Sequence, residues 1–175
     1  LTAESERYRD VHVTLGYTVL GLVGFRLLWG LIGTRYARFW SFAFSPRRVL
    51  TYVNSLFTRS PQHYTGHNPA GSWGIYALLA LSLLAGASGY ATYNVIGGHA
   101  IEDVHEGLAN ALLAEVLVHV AGVLVSRLLH RENLVRAMLT GYKTAVPGAG
   151  IRDRHRLVGA ALVAAAGFFW IAGPG

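Results

Sequence analysis

The sequence predicts an all-α membrane protein, a bundle of transmembrane helices, and three observations carry that prediction. The 175 residues are 53% hydrophobic and only 14% charged, too apolar for a chain that must clothe itself in a polar shell. Apolar runs long enough to cross a bilayer recur along it. The basic residues concentrate in the segments between those runs, so the net charge of +6 reads as membrane topology and not as a nucleic-acid surface.

The polar start, Leu1 to Asp10, is unlike a signal peptide, and Leu1 is not a Met, so a segment upstream is expected to have been removed or left out. The first span is predicted over 11–33, and the segment after it, 34–71, carries Arg35, Arg38, Arg47, Arg48 and Arg59 with no acidic residue. A second span follows over 72–93 and a third over 104–129. The segment 130–156 is again basic, and a fourth span, shorter than the others, is predicted over 157–172. None of these runs alternates with period two, which favours helices over barrel strands. Twelve of the fifteen Lys and Arg residues lie in or beside 34–71 and 130–156. By the positive-inside rule those segments are cytoplasmic. Glu4, Glu6, Asp10, Glu102, Asp103, Glu106 and both chain ends then face the periplasm of a bacterial inner-membrane protein. Residues 1–175 form one membrane domain with no linker or internal repeat. Trp29, Trp40, Trp73 and Trp170, near span ends, suit anchoring among lipid headgroups.

The chain has no cysteine, which excludes disulfides, thiolate-bound iron-sulfur clusters and covalently attached haem. Any metal then falls to the eight histidines. Three of them, His12, His105 and His119, lie within the spans, where a polar group without a partner is costly. His105 and His119 are fourteen residues apart, so they share a helix face about 21 Å apart along the axis. One helix thereby offers ligands at two depths. His12 opens the first span and His105 the third on the same side, so both come to one depth and can face each other across one haem. Gly16 and Ala109, one turn beyond them, and Gly122 beside His119 would leave room for a flat ring, although small residues also serve ordinary helix packing.

Within the spans His119 lacks a matching histidine. Within the chain its partner could be His155 or His67, but both read better as interfacial residues bonded to water or lipid phosphate, and a ligand on a helix absent from the chain explains the gap better. Arg26, fourteen residues after His12, is placed either to pair with haem propionates or to snorkel to lipid. His67 could bond a propionate or a quinone carbonyl, while Asn68 reads as a helix cap. Glu115, within the membrane, is either a proton relay or a neutral carboxyl bonded to a neighbouring helix.

Several blocks resemble the bacterial di-haem cytochrome b561 family, which includes the b-type cytochrome subunits of nickel-iron hydrogenases. They are HVTLGY (12–17), FRLLWGLIGTRYARF (25–39), GHNPAG (66–71), VHEGLANALLAEVLVHVAGV (104–123) and LHRENLVRAMLTGYK (129–143). The resemblance implies one haem b between His12 and His105. A second would lie between His119 and a histidine on a first helix that precedes everything seen here, and 157–172 would be an extra helix outside the haem-binding core. It further implies a membrane b-type cytochrome passing electrons between the quinone pool and a hydrogenase, another dehydrogenase or a c-type cytochrome. Such a subunit works within a complex or homo-oligomer, surrounded by lipid, and is not a self-contained enzyme. A haem-free proton channel or transporter using the same His and Glu residues is the alternative, without the repeats or broken spans usual in transporters.

Overall fold

The computed structural model describes residues 3–58, 64, 66–130, 140, 150 and 155–172, and among these every regular element is a helix. Most of the 130–156 segment, including much of the 129–143 block, lies outside the described residues, as do Arg59 and His63.

Helix α1 runs from Ala3 to Ile32, eight residues ahead of the apolar run. Ala3, Glu4, Glu6, Arg7 and Arg9 are good helix formers, so nothing stops the helix at the membrane surface. Its 30 residues span about 45 Å, more than the roughly 30 Å hydrocarbon core, and its polar first turns project beyond it. At its far end the Arg38 Nε donates to the Gly33 carbonyl at 2.8 Å, and the chain folds back so closely that the Phe39 ring occupies the space a Cβ at Gly30 would need.

The predicted 34–71 loop contains structure of its own. A single 3-10 turn over Phe39–Ser41 is followed by α2, Pro46–Leu56, which opens on Pro46 in the first turn, where a missing N–H costs nothing. Asn68 caps α3, Pro69–Tyr93, its Oδ1 accepting from the Gly71 N–H at 2.7 Å. Between Tyr93 and Gly98 the chain reverses in a tight turn with positive φ at Val95, Gly97 and Gly98. That reversal makes α4, Gly98–His130, the antiparallel neighbour of α3. The last helix, α5, is Arg156–Ala172.

Three helices have the length and apolarity to cross a membrane, over Glu6–Ile32, Pro69–Tyr93 and Gly98–Leu128. The 17 residues of α5 fall short of the roughly 20 a perpendicular crossing takes. Helix α3 is the centre of the bundle, packing on α4, α1 and α2, and α5 lies against α1.

The burial pattern of α4 reverses that of a water-soluble helix. Its half-buried stripe runs through Ile101, His105, Leu108, Leu112, Glu115, His119, Val123 and Ser126, a three-and-four spacing that includes its intramembrane polar residues. Its apolar side chains turn outward, Leu117 and Val118 being 62% and 65% exposed. Such a surface is stable only in lipid.

Candidate functional site

The structure brings together His12 and His105, each in the N-terminal part of its helix, α1 and α4. Their ring centroids are 6.1 Å apart with planes at 81°. Two imidazoles at that separation could hold one metal atom between them. The Nδ1 of His105 lies 3.0 Å from the Ala85 carbonyl and 3.1 Å from the Ser88 hydroxyl. Ala85 O is an acceptor only, so Nδ1 carries the proton there and Nε2 keeps its lone pair for a metal. A backbone carbonyl behind a ligating histidine is the usual device for fixing ring orientation and raising basicity.

Helix α3 makes room for this ring. A Cβ at Gly89 would stand 2.9 Å from the His105 Cε1, so only glycine lets the imidazole come this close to the helix there. Between α1 and α3 a cavity of about 620 Å³ opens beside the two histidines, lined by Val13, Gly16, Tyr17, Leu20 and Gly86 among others. That volume lies in the range of small-molecule and cofactor pockets, about 300–1,000 Å³. Gly16 borders the cavity with nothing within 4 Å of where its Cβ would be, as the sequence suggests. Ala109 does not line it, because its position on α4 turns away from α3. Among the described residues no three His, Asp or Glu side chains cluster as a metal site. Porphyrin iron needs two protein ligands and a flat apolar slot, and the residues present fit that group.

His119 repeats the arrangement one level down. Gly74 on α3 faces it, with a Cβ there placed 3.1 Å from the His119 Nδ1 and 3.3 Å from the Glu115 Oε1. Gly74 and Gly89 are fifteen residues apart on α3, against fourteen between His119 and His105 on the antiparallel α4. Each histidine thus has its own glycine. A cavity of about 240 Å³ adjoins His119, lined by Tyr52, Gly74, Glu115, Gly122 and Ser126 among others. Burial holds the Tyr52 phenol above its ordinary pKa, opposed by its hydrogen bond to Ser126, so it is a neutral donor at physiological pH. Glu115 therefore faces the helix interface and this cavity, not lipid.

The structure does not bring His67, His155 or Arg26 to either cavity. His67 packs on Phe42, ring centroids 4.6 Å apart, and His155 meets the edge of Trp29 at 5.1 Å. The Arg26 guanidinium lies over the rings of Phe39 and Phe42, at 5.0 and 5.8 Å, with Nη1 buried and without a hydrogen-bond partner among the described residues. Arg26 and His67 therefore share an aromatic cluster centred on Phe42, which is 1% exposed, together with Tyr76, whose hydroxyl donates to the Phe39 carbonyl at 3.0 Å.

Sequence reasoning missed Ala85, Ser88, Gly89 and Gly74. The small-residue run Gly86-Ala87-Ser88-Gly89 within the second span was the available signal, since such runs mark close approach between membrane helices.

No curated protein and no solved structure gives a significant match to the chain. The family model described as prokaryotic cytochrome b561 matches residues 1–141, which takes in α1 to α4 with both histidine levels and stops short of α5. A bundle of membrane-crossing helices is what that match leads one to expect, and the chain belongs to the prokaryotic cytochrome b561 family.

Proposed function

We propose that this multi-pass membrane cytochrome passes electrons between a periplasmic or membrane-bound redox partner and the quinone pool, with His12 and His105 as the axial ligands of one haem b. The observation that carries the reading is the close imidazole pair, ring centroids 6.1 Å apart, with the His105 Nδ1 held by a backbone carbonyl. Haem b supplies one-electron exchange at iron, and two histidine ligands leave no open position there for substrate chemistry. His105 would hold the haem with its ring set by its bonds to α3, Gly89 lets that ring come close to the helix, and Val13, Leu20, Ala85 and Gly86 would give the haem apolar contacts.

His119 is, in the same reading, a ligand of a second haem at the cytoplasmic level, its other ligand coming from outside the described residues. Glu115, beside it in the lower cavity, is placed to hold or release a proton as a quinone gains or loses one, and Tyr52 can donate a hydrogen bond. The basic 34–71 segment orients this end to the cytoplasm of a bacterial inner membrane, and the redox partner is a hydrogenase, another dehydrogenase or a c-type cytochrome.

Reduced-minus-oxidised absorption spectra of the purified protein and of His12→Ala, His105→Ala and His119→Ala test the assignment. His12→Ala and His105→Ala should remove the same b-type α-band component, and His119→Ala a different one. A full α band in His105→Ala rejects the ligand pair.

A further inference from the structure

Resting on the His12–His105 reading, we propose that Arg9 and Thr92 form a carboxylate-binding end to the upper cavity and hold a propionate of its haem. The cavity wall contributed by α1 comprises Arg9, His12, Val13, Gly16, Tyr17 and Leu20, a single face at three- and four-residue spacing. Arg9 lies three residues from His12 toward the aqueous end, about 4.5 Å along the axis. On α3 the level of His105 is marked by Ser88 and Gly89, and Thr92 follows three residues beyond Gly89, toward the same end. Two different helices thus bring a cation and a hydroxyl to one rim of the cavity, about one turn above the histidine pair.

The second observation is independent of helix spacing. Thr92 lines the cavity with its Oγ1 buried and without a hydrogen-bond partner among the described residues. Rotation about χ1 carries that hydroxyl to the cavity its residue lines, where an occupant can satisfy it. Arg9 is, apart from the two histidines, the only ionisable side chain besides tyrosine phenols among the described lining residues. Among the described residues it pairs with the adjacent Asp10 at 3.9 Å between exposed groups, a weak competitor for its guanidinium. The deeper wall, Val13, Leu20, Ala85 and Gly86, is apolar. A ring that is apolar except for carboxylates along one edge matches this polarity in one orientation only, with its carboxylates toward Arg9 and Thr92.

The test uses the full chain purified in detergent with its haem, comparing Arg9→Gln, Arg9→Lys, Thr92→Val and His12→Ala. Readouts are midpoint potential by redox titration, the rate of haem transfer to added apomyoglobin, and thermal unfolding of the haem-free protein. Arg9→Gln should lower the upper midpoint potential, since losing a nearby cation favours the oxidised form, and speed haem transfer about tenfold. Arg9→Lys should restore the potential more fully than the transfer rate, because it keeps the charge and loses the fork. Thr92→Val should speed haem transfer while leaving the haem-free protein as stable as before or more so, a combination that a purely structural threonine does not produce. Unchanged potential and transfer rate in Arg9→Gln and Thr92→Val, with His12→Ala depleted of haem, overturn the propionate assignment alone. Full haem content in His12→Ala removes the ligand pair and overturns the assignment with it.

Discussion

An alanine Cβ at position 89 would stand 2.9 Å from the His105 Cε1, whereas one at position 16, across the same cavity, would meet nothing within 4 Å. The two glycines therefore differ in kind. Gly89→Val should displace the imidazole and abolish the upper haem signal, and Gly16→Ala should leave the haem-free fold intact; absorption spectra and detergent unfolding check both. Ser88→Ala keeps the Ala85 carbonyl bond to His105 and removes only the hydroxyl contact, so a fall of up to about tenfold in haem affinity is expected, the low end for groups behind a ligand. His105 and His119 are legible in the sequence because a fourteen-residue interval and the 3.6-residue turn suffice to put them on one face. Gly74 and Gly89 are not, because their meaning depends on the register between two helices, which only packing sets. Arg26 illustrates the same limit: its partners Phe39 and Phe42 approach it through the fold-back after α1, which no helical period encodes.

Among the elements, α4 was the most legible and α2 the least. The stripe from Ile101 to Ser126 repeats through seven helical steps, while the eleven residues of α2 lie in a segment whose arginines dominate the reading. Ser45 followed by Pro46 was the local start signal there. Helix α5 is held to α1 by the Trp170 Nε1, which donates to the Thr18 hydroxyl at 3.0 Å, and by His155 against Trp29 at the other end. These two contacts make it antiparallel to α1, on a face away from the haem cavity. Trp170→Phe should lower resistance to unfolding by about 0.6–2 kcal/mol, the worth of one interhelical hydrogen bond in a membrane. The α-band spectrum should stay unchanged, because α5 contributes no wall to either cavity. Denaturant titration of Trp170→Phe alongside the parent protein gives both readings.

For the whole molecule, apolar content alone was enough to indicate a helical bundle, and charge was enough to propose an orientation. What neither contains is the central position of α3, whose sequence carries no histidine and no charge. Its contribution is backbone: a carbonyl at Ala85 and bare Cα atoms at 74 and 89. The absence of native cysteine makes orientation directly testable, since single cysteines react without background. Arg47→Cys should be labelled by a membrane-impermeant thiol reagent only in inside-out vesicles, and His99→Cys only in right-side-out spheroplasts; the opposite pattern inverts the topology.

The separation of His105 from His119 also has an electrical meaning. At 1.5 Å per residue the two levels differ by about 21 Å, roughly seven-tenths of a 30 Å insulating layer. An electron handed from one level to the other would traverse that share of the transmembrane voltage, about 1.6 kcal/mol for every 100 mV. With haem at both levels in the proposed orientation, charge transfer between them would be electrogenic, and a membrane with a negative interior would hold electrons back at the His105 level.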